Sequence, residues 1–254
     1  MSALLALTEH FLRNSLVEGK LRKRRFLMTW ILAHQRHFGP YFLDGTITDL
    51  EGKMKAEFDR VATDEMKENF DSAFYDFRYS NSVKYTHPAA RAEDFQKPSR
   101  LQLNRPQKDL ADILQVQDGL TVVSKPVMDI IQAAAPDTVQ FWPFEILTRR
   151  GQLASDKAFF AMMVLKPCNA FRPDLSVEGS TREGSSGSGK WHIHQEKKAF
   201  LTGLVIEIAK TGGAPIWYEE RIYQNPIFFA DELGQQLQGG EFKLPPKFYQ
   251  CVTA

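Results

Sequence analysis

Residues 120–143 read LTVVSKPVMDIIQAAAPDTVQFWP, and this stretch decides the fold. Leu120 to Val123 is a short β-branched run suited to a strand. Ser124 is a favoured helix N-cap, and Pro126 falls in the first turn, where a missing N–H costs nothing. Val127, Ile130, Ile131 and Ala134 follow at helical spacing, and Pro136-Asp137 stops the helix. Val139-Gln140-Phe141-Trp142-Pro143 then begins a second strand. The pattern recurs at residues 225–246, NPIFFADELGQQLQGGEFKLPP. Ile227 to Phe229 is the expected strand, Asp231 the cap and Leu233 and Leu237 the buried helical face. Gly239-Gly240 is the stop and Glu241 to Pro245 the next strand. The two units match in pattern and not in identity, so an internal duplication is one reading of the second half.

Working outward, the first hundred residues read as helical. Leu16 to Phe38 places Leu27, Trp30, Ile31 and His34 on one face and ends at Gly39-Pro40. Asp49 to about Phe77 is a second helical stretch with a slip in phase near Thr63-Asp64, which allows two helices. Its end, with Phe70, Phe74, Tyr75 and Phe77, is unusually aromatic, as a packed helix would be. Residues 79–106 are polar, carry Pro88, Pro98 and Pro106, and read as a linker or long surface connection. Beyond them come strand-like runs at 144–148, 159–164, 200–209 and 217–223. The expected class is α+β: a helical N-terminal part, then a mixed β-sheet with short capped helices. The expected organisation is a helical region with its linker over 1–106 and an α+β domain over 107–254.

Composition narrows the partners. A net charge of +1 argues against a nucleic-acid or membrane partner recognised through a global field. The apolar run Phe26 to His34 is too short to span a bilayer, and Ser2 to Leu7 is no signal peptide. With two cysteines, Cys168 and Cys251, in 254 residues, a disulfide scaffold is not expected. The thiols lie in apolar runs, where buried, inert side chains are expected, and the cytoplasm is the expected location.

Chemical motifs are few. Gly184 to Lys190 matches the first part of a phosphate-binding loop, but Trp191 stands where a Ser or Thr should follow. The Gly/Ser-rich stretch 176–190 reads better as a mobile loop. His192 and His194 could share a face of a strand and a metal, yet no third ligand has a spacing to recommend it. No nucleophile motif surrounds either cysteine or any serine, and Asp231 is better explained by a helix cap than as half of a catalytic carboxylate pair with Glu232. No cofactor is expected. Lys20, Arg22, Lys23, Arg24 and Arg25 form the one dense charge run, a solvated helix start or a contact for an acidic partner or RNA.

From Val122-Val123-Ser124-Lys125 onward the chain resembles a family of bacterial immunity proteins of polymorphic-toxin systems, immunity protein family eleven. A "V-V-S" strand end leads into a helix, and Val139 to Pro143 is similar to that family's following strand. Phe159 to Leu165 through Phe171 to Ser176, Ile216 to Tyr218, Ile227 to Leu233 and Glu241 to Leu244 continue the likeness, which covers about 119–250. The resemblance implies a protein that binds and neutralises a cognate toxin, with no catalytic residue of its own. Many such toxins are nucleases acting in the cytoplasm. The contact expected here is a strand at Trp217, Tyr218, Glu219 and Glu220, mixing amphipathic rings with acidic groups, with Arg22, Arg24 and Arg25 as a second candidate. The alternatives are an enzyme with a metal-dependent site through His192 and His194, or a scaffold subunit.

Overall fold

The structure, a computed structural model, describes residues 28–34, 37–82, 91–116, 119–184 and 188–254. Among them, two six-stranded sheets carry most of the chain. Sheet one runs β2 (Gly45–Ile47), β3 (Arg100–Leu103), β6 (Val139–Leu147), β7 (Phe159–Val164), β5 (Thr121–Ser124), β4 (Ile113–Gln115). Sheet two runs β11 (Val205–Ile206), β14 (Phe248–Thr253), β1 (Thr29–Leu32), β13 (Ile227–Ala230), β12 (Ile216–Glu219), β8 (Pro167–Cys168). A small pair, β9 (Thr181–Glu183) and β10 (Trp191–Ile193), stands apart. The helices are α1 (Leu50–Val61), α2 (Asp64–Glu68), α3 (Phe70–Ser82), α4 (Lys125–Ala134), α5 (Lys198–Thr202) and α6 (Asp231–Gly239).

Three apolar layers hold these elements. The middle one lies between the sheets and takes Val123 and Met162 from sheet one, Trp30 and Phe229 from sheet two, and Val127, Ile131, Leu233 and Leu237 from α4 and α6. Outside sheet one, Val122, Ala161, Met163, Leu101 and Trp142 pack with Met54 of α1. Outside sheet two, Ile31, Trp217, Phe228 and Ile206 pack with Leu201 of α5 and Phe171. Successive residues of β1, β7 and β13 therefore enter opposite layers, both of them apolar. That is why these strands read as unbroken apolar runs with no polar alternation.

The two strand–helix–strand units expected from the sequence are present, and they share a topology. In sheet one, β5 and β6 lie on either side of β7, which is antiparallel to both. In sheet two, β13 and β14 lie on either side of β1, again antiparallel to both. β4 and β12 each add an antiparallel strand beside β5 and β13. β3 and β11 each add a parallel strand beside β6 and β14. Aligning Ser124 with Ala230 puts Val127 on Leu233 and Ile131 on Leu237, all four in the middle layer. The same alignment puts Ile113 on Ile216 and Leu114 on Trp217. Even single ladder bonds repeat: the Ser124 N–H donates to the Asp112 carbonyl at 2.8 Å and the Ala230 N–H to the Pro215 carbonyl at 2.9 Å. Strand order, direction and inward positions agree over five strands and a helix, which is the structural form of an internal duplication.

Several expectations are corrected. The helix expected over Leu16 to Phe38 is a strand at Thr29–Leu32, inserted between β13 and β14. All four of its residues are buried, so no solvent-facing side exists to set a helical period; residues 1–27 lie outside the described residues. The polar stretch 79–106 is more than a connection, because Arg100–Leu103 forms β3 within sheet one and pairs with β6 and β2. Sheet one thus draws strands from both sides of residue 106. Glu241 to Pro245 is not a strand. It is tied through Lys243, whose N–H donates to the Asp112 carboxylate at 2.8 Å, whose carbonyl accepts from the Asp112 N–H at 2.9 Å and whose ammonium meets Asp109, and the sheet strand begins at Phe248. The N-cap of α6 is Ala230. Asp231 sits in the first turn, where its carboxylate accepts from Gln235 at 2.9 Å and from the Trp30 indole at 3.3 Å. The phase slip near Thr63-Asp64 is real: α1 ends at Val61, and Thr63 caps α2 by accepting from the Met66 N–H.

Candidate functional site

β12 carries the residues expected to face a partner, and the fold turns them inward. It lies between β13 and β8, and its four residues are all buried. Ile216 and Tyr218 enter the middle layer and Trp217 the layer outside sheet two. The Trp217 ring stacks on Phe228 at 5.8 Å. The expected exposed strand is therefore a core strand, and only Glu220, just past its end, keeps an accessible side chain, taking a hydrogen bond from Asn169 at 3.3 Å. Arg22, Arg24 and Arg25 lie outside the described residues.

Glu219 is the informative member. Its side chain is fully buried, a state a carboxylate tolerates only with partners. One oxygen accepts from the Ala170 N–H at 2.8 Å and the Phe171 N–H at 3.2 Å, the other from the Arg221 N–H at 3.2 Å. The carboxyl thereby pins the chain after β8 to the turn after β12. Burial pushes its pKa up to about 7, with the three backbone donors and the Arg221 charge pulling the other way.

Two further carboxylates make similar ties. Asp112 is buried and accepts from Lys243 and, at 2.9 Å, from the Lys157 ammonium. Burial raises its pKa, but these donors and Ser124 outweigh burial and leave it below the ordinary value. Asp49, at the start of α1, accepts from the Ser99 and Arg100 N–H groups at the start of β3. There too burial is outweighed, by Lys53 and Ser99, and the pKa falls. Each tie joins segments far apart in sequence, a structural role.

A cavity of about 240 Å³ opens between the sheets, below the usual range for small-molecule sites. It lies where β5 and β13 begin and β1 and β7 end. Its walls come in equivalent pairs from the two halves: Gln115 with Tyr218, Thr121 with Ile227, Met162 with Leu32. Its described lining contains no carboxylate, amine or thiol, so His34 and two tyrosines are its only titratable groups.

The motifs weighed in the sequence also find their places. The Gly184 N–H donates to the Lys190 carbonyl at 2.7 Å, so the stretch resembling a phosphate loop is the connection of a hairpin, with β10 and no helix after it. The mobile loop expected over 176–190 is corrected in part: Ser180 is buried, and Thr181–Glu183 pairs with β10; residues 185–187 lie outside the described residues. The His192 ring stacks on Tyr223 at 4.1 Å, and His194 lies beyond the end of β10 beside Glu196. Among the described residues, no group of three His, Cys, Asp or Glu side chains could hold a metal ion, and no helix is long and apolar enough to cross a membrane. Cys168 and Cys251 are buried and unpaired. Burial raises both thiols, Cys168 to about 11, so neither is a ready nucleophile at neutral pH.

The sequence pattern of the Immunity protein family (Imm11) matches residues 46–199, more than half of the chain. The chain belongs to that family of immunity proteins. The match begins within β2, earlier than the likeness read from the sequence, and ends within α5, so it takes in sheet one except Gly45 and leaves out most of sheet two. No curated protein matches the chain.

What sequence reasoning missed is the outward face of α3. Phe70, Phe74 and Phe77 turn inward onto Phe58 of α1, while Tyr75 and Tyr79 point to solvent. The signal was present: Tyr75 and Tyr79 are four residues apart and out of phase with the three phenylalanines.

Proposed function

We propose that this chain neutralises a toxin protein by stoichiometric binding, without turnover of its own. The observation that carries the reading is the family match over residues 46–199. The fold supports it physically. Three packed layers and carboxylate ties between distant segments make a stiff scaffold, and a preformed surface loses little freedom on binding. The cavity between the sheets is small, and its described lining is mostly apolar and amide side chains, so the reading places binding on the outer surface. We further read the toxin as one acting in the cytoplasm, with a nuclease the expected type; two unpaired thiols fit a reducing compartment.

Co-expression with the toxin encoded beside this chain's gene should restore growth. The purified pair should form a complex of fixed composition, and inhibition should titrate with molar ratio. Silencing of the toxin by substoichiometric amounts, increasing with time, would show turnover and overturn the binding mechanism.

A further inference from the structure

We infer that the solvent face of α2 and α3, centred on Tyr75 and Tyr79, is the surface that docks a basic partner; the inference rests on the toxin-binding reading above. α3 is aromatic on both sides, for two different reasons. Its inner side packs Phe70, Phe74 and Phe77 around the Phe58 ring at centroid distances of 5.6, 5.5 and 5.5 Å. Its outer side leaves Tyr75 67% and Tyr79 64% exposed. One turn apart on a helix, these two rings are neighbours and form one patch. The inner phenylalanines pack α3 onto α1, while Tyr75 and Tyr79 keep most of their surface in solvent. Tyrosine offers a large contact area with a polar tip and few rotatable bonds, the property that enriches it in interfaces.

The charge around the patch chooses the partner. Residues 63–79 contain five carboxylates, Asp64, Glu65, Glu68, Asp71 and Asp76, against two cations, Lys67 and Arg78. All five acidic side chains are exposed. None makes an ion pair among the described residues, whereas three of the four carboxylates of the preceding helix and its cap, Asp49, Glu57 and Asp59 but not Glu51, are paired with basic neighbours. Unpaired like charges on one face repel each other slightly, and a surface of opposite sign relieves that repulsion while steering association. A basic protein surface is the complement, and a protein that grips nucleic-acid phosphates presents one. The rings would supply the buried centre of the contact and the carboxylates its rim.

The test measures binding of the purified, catalytically inactivated toxin encoded beside this chain's gene to the full chain. Two variants are compared with the wild type: Tyr75→Ala with Tyr79→Ala, and Asp71→Asn with Asp76→Asn. The tyrosine variant should keep its melting temperature and lose roughly thirty-fold in affinity, the size of a hot-spot loss. The asparagine variant should associate several-fold more slowly at low salt, with a shallower fall in rate as salt is raised. Should the wild type bind the toxin while both variants bind it equally well, the docking face is elsewhere and the toxin-binding reading stands. Should the wild type bind no toxin at all, both statements fall together. Tighter toxin binding after neutralising Lys20 to Arg25 would mean that the chain's own basic run occupies the face, and a dimer lost in the tyrosine variant would assign it to a second copy. Either result overturns the inference.

Discussion

The two sheets are built to one plan and closed in two ways. In sheet one the central strand, β7, follows β6 after a short connection and pairs with it in register from Val139↔Val164 to Phe144↔Phe159. In sheet two the same central place is filled by β1, whose Thr29 pairs with Ala230 and with Cys251. One half is thus complete within a continuous stretch, and the other needs a strand from the far end of the chain. The comparison teaches that topology and connectivity are separable: equal packing does not imply equal independence.

Removing residues 1–33 gives the largest expected effect. Without β1, the facing edges of β13 and β14 lose their hydrogen-bond partner and the middle layer loses Trp30 and Leu32. Hydrogen exchange should then show protection lost in β12, β13 and β14 and retained in β5, β6 and β7. Equal loss in both sheets would mean the halves fold as one unit and break the comparison.

Ile131→Ala and Leu237→Ala sharpen it. The two side chains occupy equivalent places on α4 and α6 and are both fully buried. Each truncation should cost about 2–5 kcal/mol in denaturant unfolding, and the two costs should agree within about 1 kcal/mol if the sites are equivalent in packing. A loss below about 1 kcal/mol at either position would show that the layer relaxes around it.

Glu219 marks the sharpest chemical difference, since its equivalent in sheet one is the buried, apolar Val116. A carboxyl whose pKa rises on folding from 4.5 to about 7 holds its proton more tightly in the folded chain. Its contribution is therefore fully present below the unfolded value and is lost as pH rises toward 7. The size is about 3 kcal/mol at 1.36 kcal/mol per pKa unit. Wild-type stability should fall between pH 4.5 and 7, and Glu219→Gln should flatten that slope. An unchanged slope would place the titration elsewhere. Asp49 and Asp112, with lowered pKa values, act in the other direction and lose their contribution as pH falls below 3.8.

The smallest effect concerns Gly234, equivalent to Met128 of α4. A Cβ at Gly234 would run into the Trp30 ring, and that ring is held by stacking on Phe248 at 5.0 Å. Gly→Ala within a helix ordinarily helps by about 0.5–1 kcal/mol. Here Gly234→Ala should instead cost about 1–3 kcal/mol through overpacking. Stabilisation by thermal melting would mean Trp30 has room to move.

Among the helices, the parts legible in the sequence are those with a solvent-facing side. α4 and α6 showed their apolar stripes, and α1 and α2 showed the break between them at Thr63. β5, β7 and β13, packed on both faces, are legible as apolar runs, but β1 has neither a period nor a turn residue just before it. TWIL in β1 therefore passed for the end of a helix, and the polar residues before Pro106 hid β3, whose Leu101 and Leu103 alone turn inward. The misplaced partner strand failed for a related reason. Glu219-Glu220 reads as surface because buried glutamates are rare, and the backbone donors that make Glu219 tolerable come from Ala170 and Phe171, about fifty residues away. The family likeness was legible, but its reach toward β2 was not, since residues 46–106 carry helices and strands without a distinctive motif.

The position of β1 has a consequence in time. A ribosome makes this strand about two hundred residues before its two partners. At roughly 5–20 residues per second, Trp30, Ile31 and Leu32 wait on the order of 10–40 s before sheet two exists to receive them. During that interval sheet one can already form, while the short apolar segment of β1 stays exposed to chaperones or to other unfinished chains. Newly made copies should therefore pass through a long-lived half-closed species, and the delay before a fresh molecule is fully closed is set by the length of the message between β1 and β14.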